Sequence, residues 1–176
     1  MITILGSILL AVVVGFWGGV ADASEYEAVV RRNPTLTWYA PLQEAEPLPA
    51  DVIRGGTPVW GQGPDEGKAI LFDGTRYLTW GPRPNLEVEE VTVELWFSPA
   101  FDAMPYNPCL IAMREDGNHQ LTRWSIHLHG DRSAIDLWNG RSVAQYRPAT
   151  GVLEKGRWYH LAVTSGKGGT AVYING

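Results

Sequence analysis

Apolar and polar residues alternate through four stretches of this 176-residue chain: 68–80 (KAILFDGTRYLTW), 91–99 (VTVELWFSP), 124–139 (WSIHLHGDRSAIDLWN) and 156–176 (GRWYHLAVTSGKGGTAVYING). A period of two sends successive side chains to opposite faces of a strand, and Gly, Pro, Asp or Asn bounds each run. The pattern therefore predicts half-buried antiparallel strands and hairpins. In 91–99, for example, Val91, Val93, Leu95 and Phe97 share one face, while Thr92, Glu94, Trp96 and Ser98 share the other. No stretch of comparable length repeats its apolar residues at helical spacing. The expected fold class is all-β.

Shorter signals fill in the remainder. Residues 24–33 (SEYEAVVRRN) predict a short helix, ended by Asn33-Pro34 because a residue before proline disfavours the helical region. Residues 35–42 (TLTWYAPL) predict a first strand. Residues 43–67 carry four prolines and read as loop, with one short strand near Val59-Trp60. Residues 69–72 and 77–80 flank Asp73-Gly74, a strong turn dipeptide. A further strand is expected at 109–113, and a hairpin from 158 to 175 around Gly166 to Gly169.

The hairpin in 124–139 allows a definite register. With residues 130–133 as a four-residue loop, His129 faces Ala134, Leu128 faces Ile135, His127 faces Asp136, Ile126 faces Leu137 and Ser125 faces Trp138. Ile126, Leu128, Ile135 and Leu137 then point to the core. Ser125, His127, His129, Asp136 and Trp138 make the other face.

Residues 1–23 read differently. The nineteen residues 2–20 carry no charge, and Ala21-Asp22-Ala23 offers the small-x-small site of a signal peptidase. The expectation is a leader over 1–23 and a mature domain over 24–176, secreted, periplasmic or at the cell surface. An uncleaved anchor is the alternative, since nineteen residues at about 1.5 Å each just reach across a bilayer core of about 30 Å. At the other end, Asn175-Gly176 signals a tight turn into another strand, so the chain is expected to continue past Gly176, with room for a downstream domain.

Composition narrows the partners. The net charge is −5 and no three basic residues are consecutive. A nucleic-acid binder shows a clustered basic face, so that class is excluded, and no membrane contact is expected after leader removal. Cys109 is the single cysteine, so no intrachain disulfide forms. Stability must come from burial, for which seven of the eight Trp residues lie beyond residue 23.

Four blocks in fixed order then carry a family resemblance: GKAILFDGTRYL at 67–78, VTVELWFSP at 91–99, GRWYHLAVT at 156–164 and AVYING at 171–176. Together with the opening YEAVVRRNPTLTWYAPLQE at 26–44, they resemble the laminin G-like, concanavalin A-like jelly-roll family, in the version attached to exported bacterial proteins. The resemblance implies a two-sheet antiparallel sandwich. It also implies a binding or accessory role, through carbohydrate recognition, adhesion or association with a glycosidase. Members often hold calcium near the FDG turn, which maps onto Asp73. A plain Asp-Gly turn is the alternative there.

Candidate chemistry is sparse. Glycoside hydrolysis needs two carboxylates roughly 5–9 Å apart. Related glucanases place them in a pattern resembling Glu-x-Asp-x-x-Glu, which this chain lacks. Glu87, Glu89 and Glu90 precede a strand and read as a solvated loop. The domain is expected not to be an enzyme. His127 and His129 share a strand face with Asp136 opposite, which suits zinc only if further ligands exist, and otherwise makes a polar outer face. His160 reads as a packed histidine. Trp38, Trp96 and Trp158 read as core, whereas Trp138 sits beside Asp136, Asn139 and Arg141. An aromatic platform ringed by hydrogen-bonding groups suits a sugar. Trp138, Asp136, His127 and Arg141 are therefore the expected ligand residues, with Asp73 the expected metal residue. The expected partner is a carbohydrate or an extracellular or cell-surface protein.

Overall fold

A computed structural model describes residues 2–11, 28, 31–34, 40, 42, 52–64, 67–81, 90–114 and 122–176. Among them, eleven strands run in the order β1 (Ile2–Ala11), β2 (Val52–Gly55), β3 (Trp60–Gln62), β4 (Lys68–Trp80), β5 (Val91–Pro99), β6 (Cys109–Arg114), β7 (Thr122–Leu128), β8 (Ile135–Trp138), β9 (Val143–Tyr146), β10 (Tyr159–Gly166) and β11 (Gly169–Ile174). All pairings between them are antiparallel. Ala28, Arg31 and Arg32 are helical and Asn33 is not, as the proline at 34 requires. Ala40 and Leu42 are buried. The strand expected over 35–42 otherwise lies outside the described residues, as does Trp38.

The two layers of the sandwich share one bent ribbon. β1 pairs with β4 along nearly its whole length, from Ile2 opposite Trp80 to Leu10 opposite Ile70. On its other flank, Ile8 to Ala11 pair with β5, while Ile2 and Thr3 pair with β6. β4 divides in the same way: residues 68–70 pair with β3 and residues 77–80 with β2. One layer therefore runs β11-β10-β5-β1-β4-β3, and the other runs β9-β8-β7-β6-β1-β4-β2.

The bend in that ribbon corrects the reading of Asp73-Gly74. Leu5 pairs with Tyr77 and Ser7 with Asp73, so residues 74–76 bulge out opposite Gly6. The dipeptide does not reverse the chain; it kinks one continuous strand. Gly74 sits at φ 87°, in the left-handed region where a side chain is strained. The turn chemistry was legible in the sequence, and what the chain does with it was not.

Most other elements lie where alternation puts them. The β7–β8 ladder has the expected register: Leu128 opposite Ile135, Ile126 opposite Leu137, His127 opposite Asp136 and Ser125 opposite Trp138. β10 and β11 close around Lys167 and Gly168, with Gly166 opposite Gly169. β2 and β9 are additional. The first falls in a proline-rich stretch read as loop, and the second is a four-residue edge strand with an exposed VAQ run.

The core joins both layers. Phe97, Leu95, Leu161 and Val163 from one layer, and Leu110, Ile126, Leu128 and Ile135 from the other, belong to a single cluster with Ile70, Phe72, Leu78 and Trp80 of β4. Trp80 is fully buried, while Trp96 and Trp158, expected in the core, are only half-buried. Alternation in FDGTRYLTW puts Leu78 and Trp80 on one face, a signal the sequence carried. Removing the Phe72 ring should cost about 3–5 kcal/mol, whereas Thr92→Ala on the solvent face should change stability by less than about 0.5 kcal/mol. Urea unfolding of the two variants checks that contrast.

Candidate binding site

The predicted ligand face forms on β7 and β8, but a loop covers much of it. Residues 100–108 leave β5 and fold across the β7–β8 turn. Met104 N–H donates to the Gly130 carbonyl at 2.8 Å. A Cβ at Gly130 would overlap the Met104 carbonyl oxygen and approach the Tyr106 carbonyl oxygen to 2.8 Å, so only glycine permits this closeness.

Asn107 is the hub of that cover. Its amide NH2 donates to Asp136 Oδ2 at 2.6 Å, its Oδ1 accepts from Gly130 N–H at 2.9 Å, and its backbone carbonyl lies 3.2 Å from His127 Nδ1. His127 Nε2 lies 2.8 Å from Ser125 Oγ. Asp136 is buried, and its second oxygen accepts from the Gln145 side-chain amide at 3.0 Å. His127 and Asp136 are thus opposite one another, as expected, and both are committed to an internal polar network. Such a network is stabilising because each buried polar atom has a partner. Trp138 is half-buried and Arg141 is exposed, in a β8–β9 turn where Asn139 Oδ1 accepts from the N–H groups of Arg141 and Ser142. The four expected residues do not share one open surface.

The other candidates also resolve into structural roles. Asp73 Oδ1 accepts from Thr75 N–H at 3.0 Å, Thr75 Oγ1 at 2.7 Å and Arg76 N–H at 3.2 Å, and its Oδ2 meets the Arg76 guanidinium. The Thr75 hydroxyl foremost, with the Thr75 and Arg76 amides and the Arg76 charge, holds its carboxyl below the usual range. Calcium prefers six to eight oxygen ligands. Asp73 is instead surrounded by donors and a cation, and the described residues contain no group of three metal-capable side chains. The arrangement does not fit a calcium ion. His129 bonds Asp131 at 2.8 Å. His160 packs against Trp96 with the rings tilted 41° and their centroids 5.1 Å apart, and its Nε2 lies 3.5 Å from Glu94 Oε2. Burial pushes the Cys109 thiol up to about 12, which keeps it protonated and unreactive. Glu87 and Glu89 lie outside the described residues, and Glu90 is exposed.

An open cleft does form next door, at the end of β9. It encloses about 520 Å³ between Gln145 and Tyr146, the following loop, and the ends of β10 and β11 at Tyr159, Val172, Ile174 and Asn175. Residues 147–158 are pinned to make its wall. Leu153 is fully buried and its N–H donates to the Arg132 carbonyl at 3.0 Å, while Gly156 N–H donates to the Pro99 carbonyl at 2.8 Å. Glu154 N–H donates to the Tyr159 hydroxyl at 2.7 Å.

Among the described residues, three charged side chains line the cleft. Arg157 pairs with Glu154 at 2.8 Å and lies over the Tyr159 ring at 5.6 Å. Arg147 donates to Ser133 Oγ at 3.1 Å and to Gln145 Oε1 at 2.6 Å. Hydrogen bonds therefore run from Asn107 through Asp136 and Gln145 to Arg147. Asp136, chosen as a ligand residue, acts one step behind the cleft: it takes the Gln145 NH2 and so turns the amide oxygen toward Arg147. Sequence reasoning missed Arg147 because the cleft gathers residues 145–159 and 172–175, which no local pattern links.

A family model described as the concanavalin A-like lectin/glucanases superfamily, Laminin_G_3, matches residues 72–176. The chain belongs to that family. At the level this sets, the domain is a binding module on a two-layer β-sandwich. Searches of curated proteins and of solved structures give no match.

The buried network sets a pH dependence. Burial, ahead of an opposing pull from the Asn107 carbonyl and Asp136, lowers the His127 pKa below its ordinary 6.5, and Arg114 adds to the lowering. The unfolded chain then binds the proton more readily than the folded one. The His127 contribution to stability is fully present above about pH 6.5 and is lost as pH falls toward the folded-state value. His127→Gln should flatten that decline between about pH 6.5 and 5, as read by thermal unfolding; an unchanged slope would assign the decline to other groups.

Proposed function

We propose that this chain is a non-catalytic extracellular module that binds carbohydrate, or a cell surface bearing it, in the cleft beside β9. The observation that carries the reading is the cleft's lining. It combines a half-buried Tyr146 with hydroxyl and guanidinium donors from Thr150, Arg147 and Arg157, beside the Gln145 amide. Sugars present hydroxyls around apolar CH faces, so an aromatic wall edged by such groups matches them. Among its described lining residues the one carboxylate, Glu154, is held by Arg157. Hydrolysis of a glycosidic bond calls for two carboxylates in concert, so the cleft supports holding a sugar rather than cutting it. No metal enters this reading, since the donors around Asp73 suit a turn. A glycan array probed with the purified protein is expected to show discrete signals that Tyr146→Ala reduces about tenfold or more. Absence of any glycan signal from a folded sample would overturn the reading.

The extracellular placement rests on the charge-free run 2–20 and the Ala21-Asp22-Ala23 site. The described part of that run, Ile2–Ala11, is β1. Removal after Ala23 would withdraw β1 from between β4 on one side and β5 and β6 on the other, and another strand would have to take its place. N-terminal sequencing of the protein recovered outside the cell is expected to begin at Ser24. Recovery only inside the cell, starting at Met1, would end the extracellular reading.

A further inference from the structure

The charges in the cleft go further than the class of ligand. Arg157 is answered by Glu154, and among the described lining residues that is the only carboxylate. Arg147 bonds two neutral acceptors, Ser133 Oγ and Gln145 Oε1. Among the described residues, two guanidiniums against one carboxylate give the lining a net positive charge, in a chain whose net charge is −5. Attraction of anions to the bulk of this protein does not explain such a position, because the bulk repels them.

The Arg147 side chain is also held in place. Its Nη1 and Nη2 are each used once, on Ser133 Oγ and Gln145 Oε1, and the Gln145 amide is itself held by Asp136, which Asn107 holds in turn. A guanidinium has five N–H donors in a planar fork, so N–H groups remain for a ligand. Preorganisation of this kind lowers the entropy lost when an anion docks.

We propose that the cleft selects acidic saccharides, with Arg147 gripping a sugar carboxylate while the Tyr146 side supports the ring. The inference rests on the cleft reading above and narrows it to anionic members. A carboxylate is planar and accepts two parallel N–H bonds from one guanidinium, a geometry that a tetrahedral sulfate ester matches less well. Arg147→Lys keeps the charge and loses the fork, so it separates attraction from recognition.

The experiment is a glycan array of matched pairs: uronate-containing oligosaccharides, the same sequences with neutral hexoses, and the same sequences carrying sulfate. The full chain, Arg147→Gln and Arg147→Lys are compared, with thermal unfolding confirming that each variant is folded. The expected result is signal on uronate members over their neutral partners, falling about ten- to a hundredfold in both variants. Equal or stronger signal on neutral partners would overturn this inference and leave the carbohydrate reading standing. Preference for sulfate, retained by Arg147→Lys, would overturn the carboxylate assignment. No signal on any member would remove both readings.

Discussion

With residues 2–11 in place, the two layers of this sandwich are joined by the hydrogen-bonded ribbon of β1 and β4. Two facing sheets normally meet through their side chains and the loops that cross between them. Here a pair of strands passes from one sheet into the other, bending where residues 74–76 bulge opposite Gly6. The bend needs a glycine at 74 with positive φ and an aspartate at 73 whose carboxylate satisfies the amides freed by the bulge. Polar chemistry at one corner thus lets Phe72 face the core near one layer and Leu78 and Trp80 face it near the other.

From that frame the loops at one end are placed by a small number of backbone bonds. Gly130 tucks beneath residues 104–106, Leu153 docks on Arg132, and Gly156 on Pro99. Asn107 links the first of these to the β7–β8 face, and Asp136 and Gln145 carry the same network outward to Arg147. The interior network and the cleft are therefore one chain of hydrogen bonds. Asn107 is thus connected to the cleft without lining it.

Strand alternation made much of the fold legible. The pairings of β7 with β8 and of β10 with β11 follow from period-two patterning and turn residues, because a one-residue slip would turn every apolar side chain to solvent. β2 escaped because VIRG is short and flanked by proline and glycine, and β9 because its side chains are mostly exposed and carry no apolar stripe. The site was harder. His127 and Asp136 were correctly placed opposite each other, yet nothing in the local sequence says that Asn107, about twenty residues upstream, would fold over them. The Asp73-Gly74 dipeptide encodes a change of direction, and only the ladders on both sides decide between a reversal and a kink.

The seat of β1 has a temporal side. Residues 2–11 stitch together three neighbours that lie much later in the sequence, so these partners leave the ribosome after them. Without those residues, the lane between β5 and β6 would be open, and the two halves of the molecule would be tethered without being fastened. Whatever occupies that lane last decides when the protein stops being a chain with two half-sheets and becomes a single closed body.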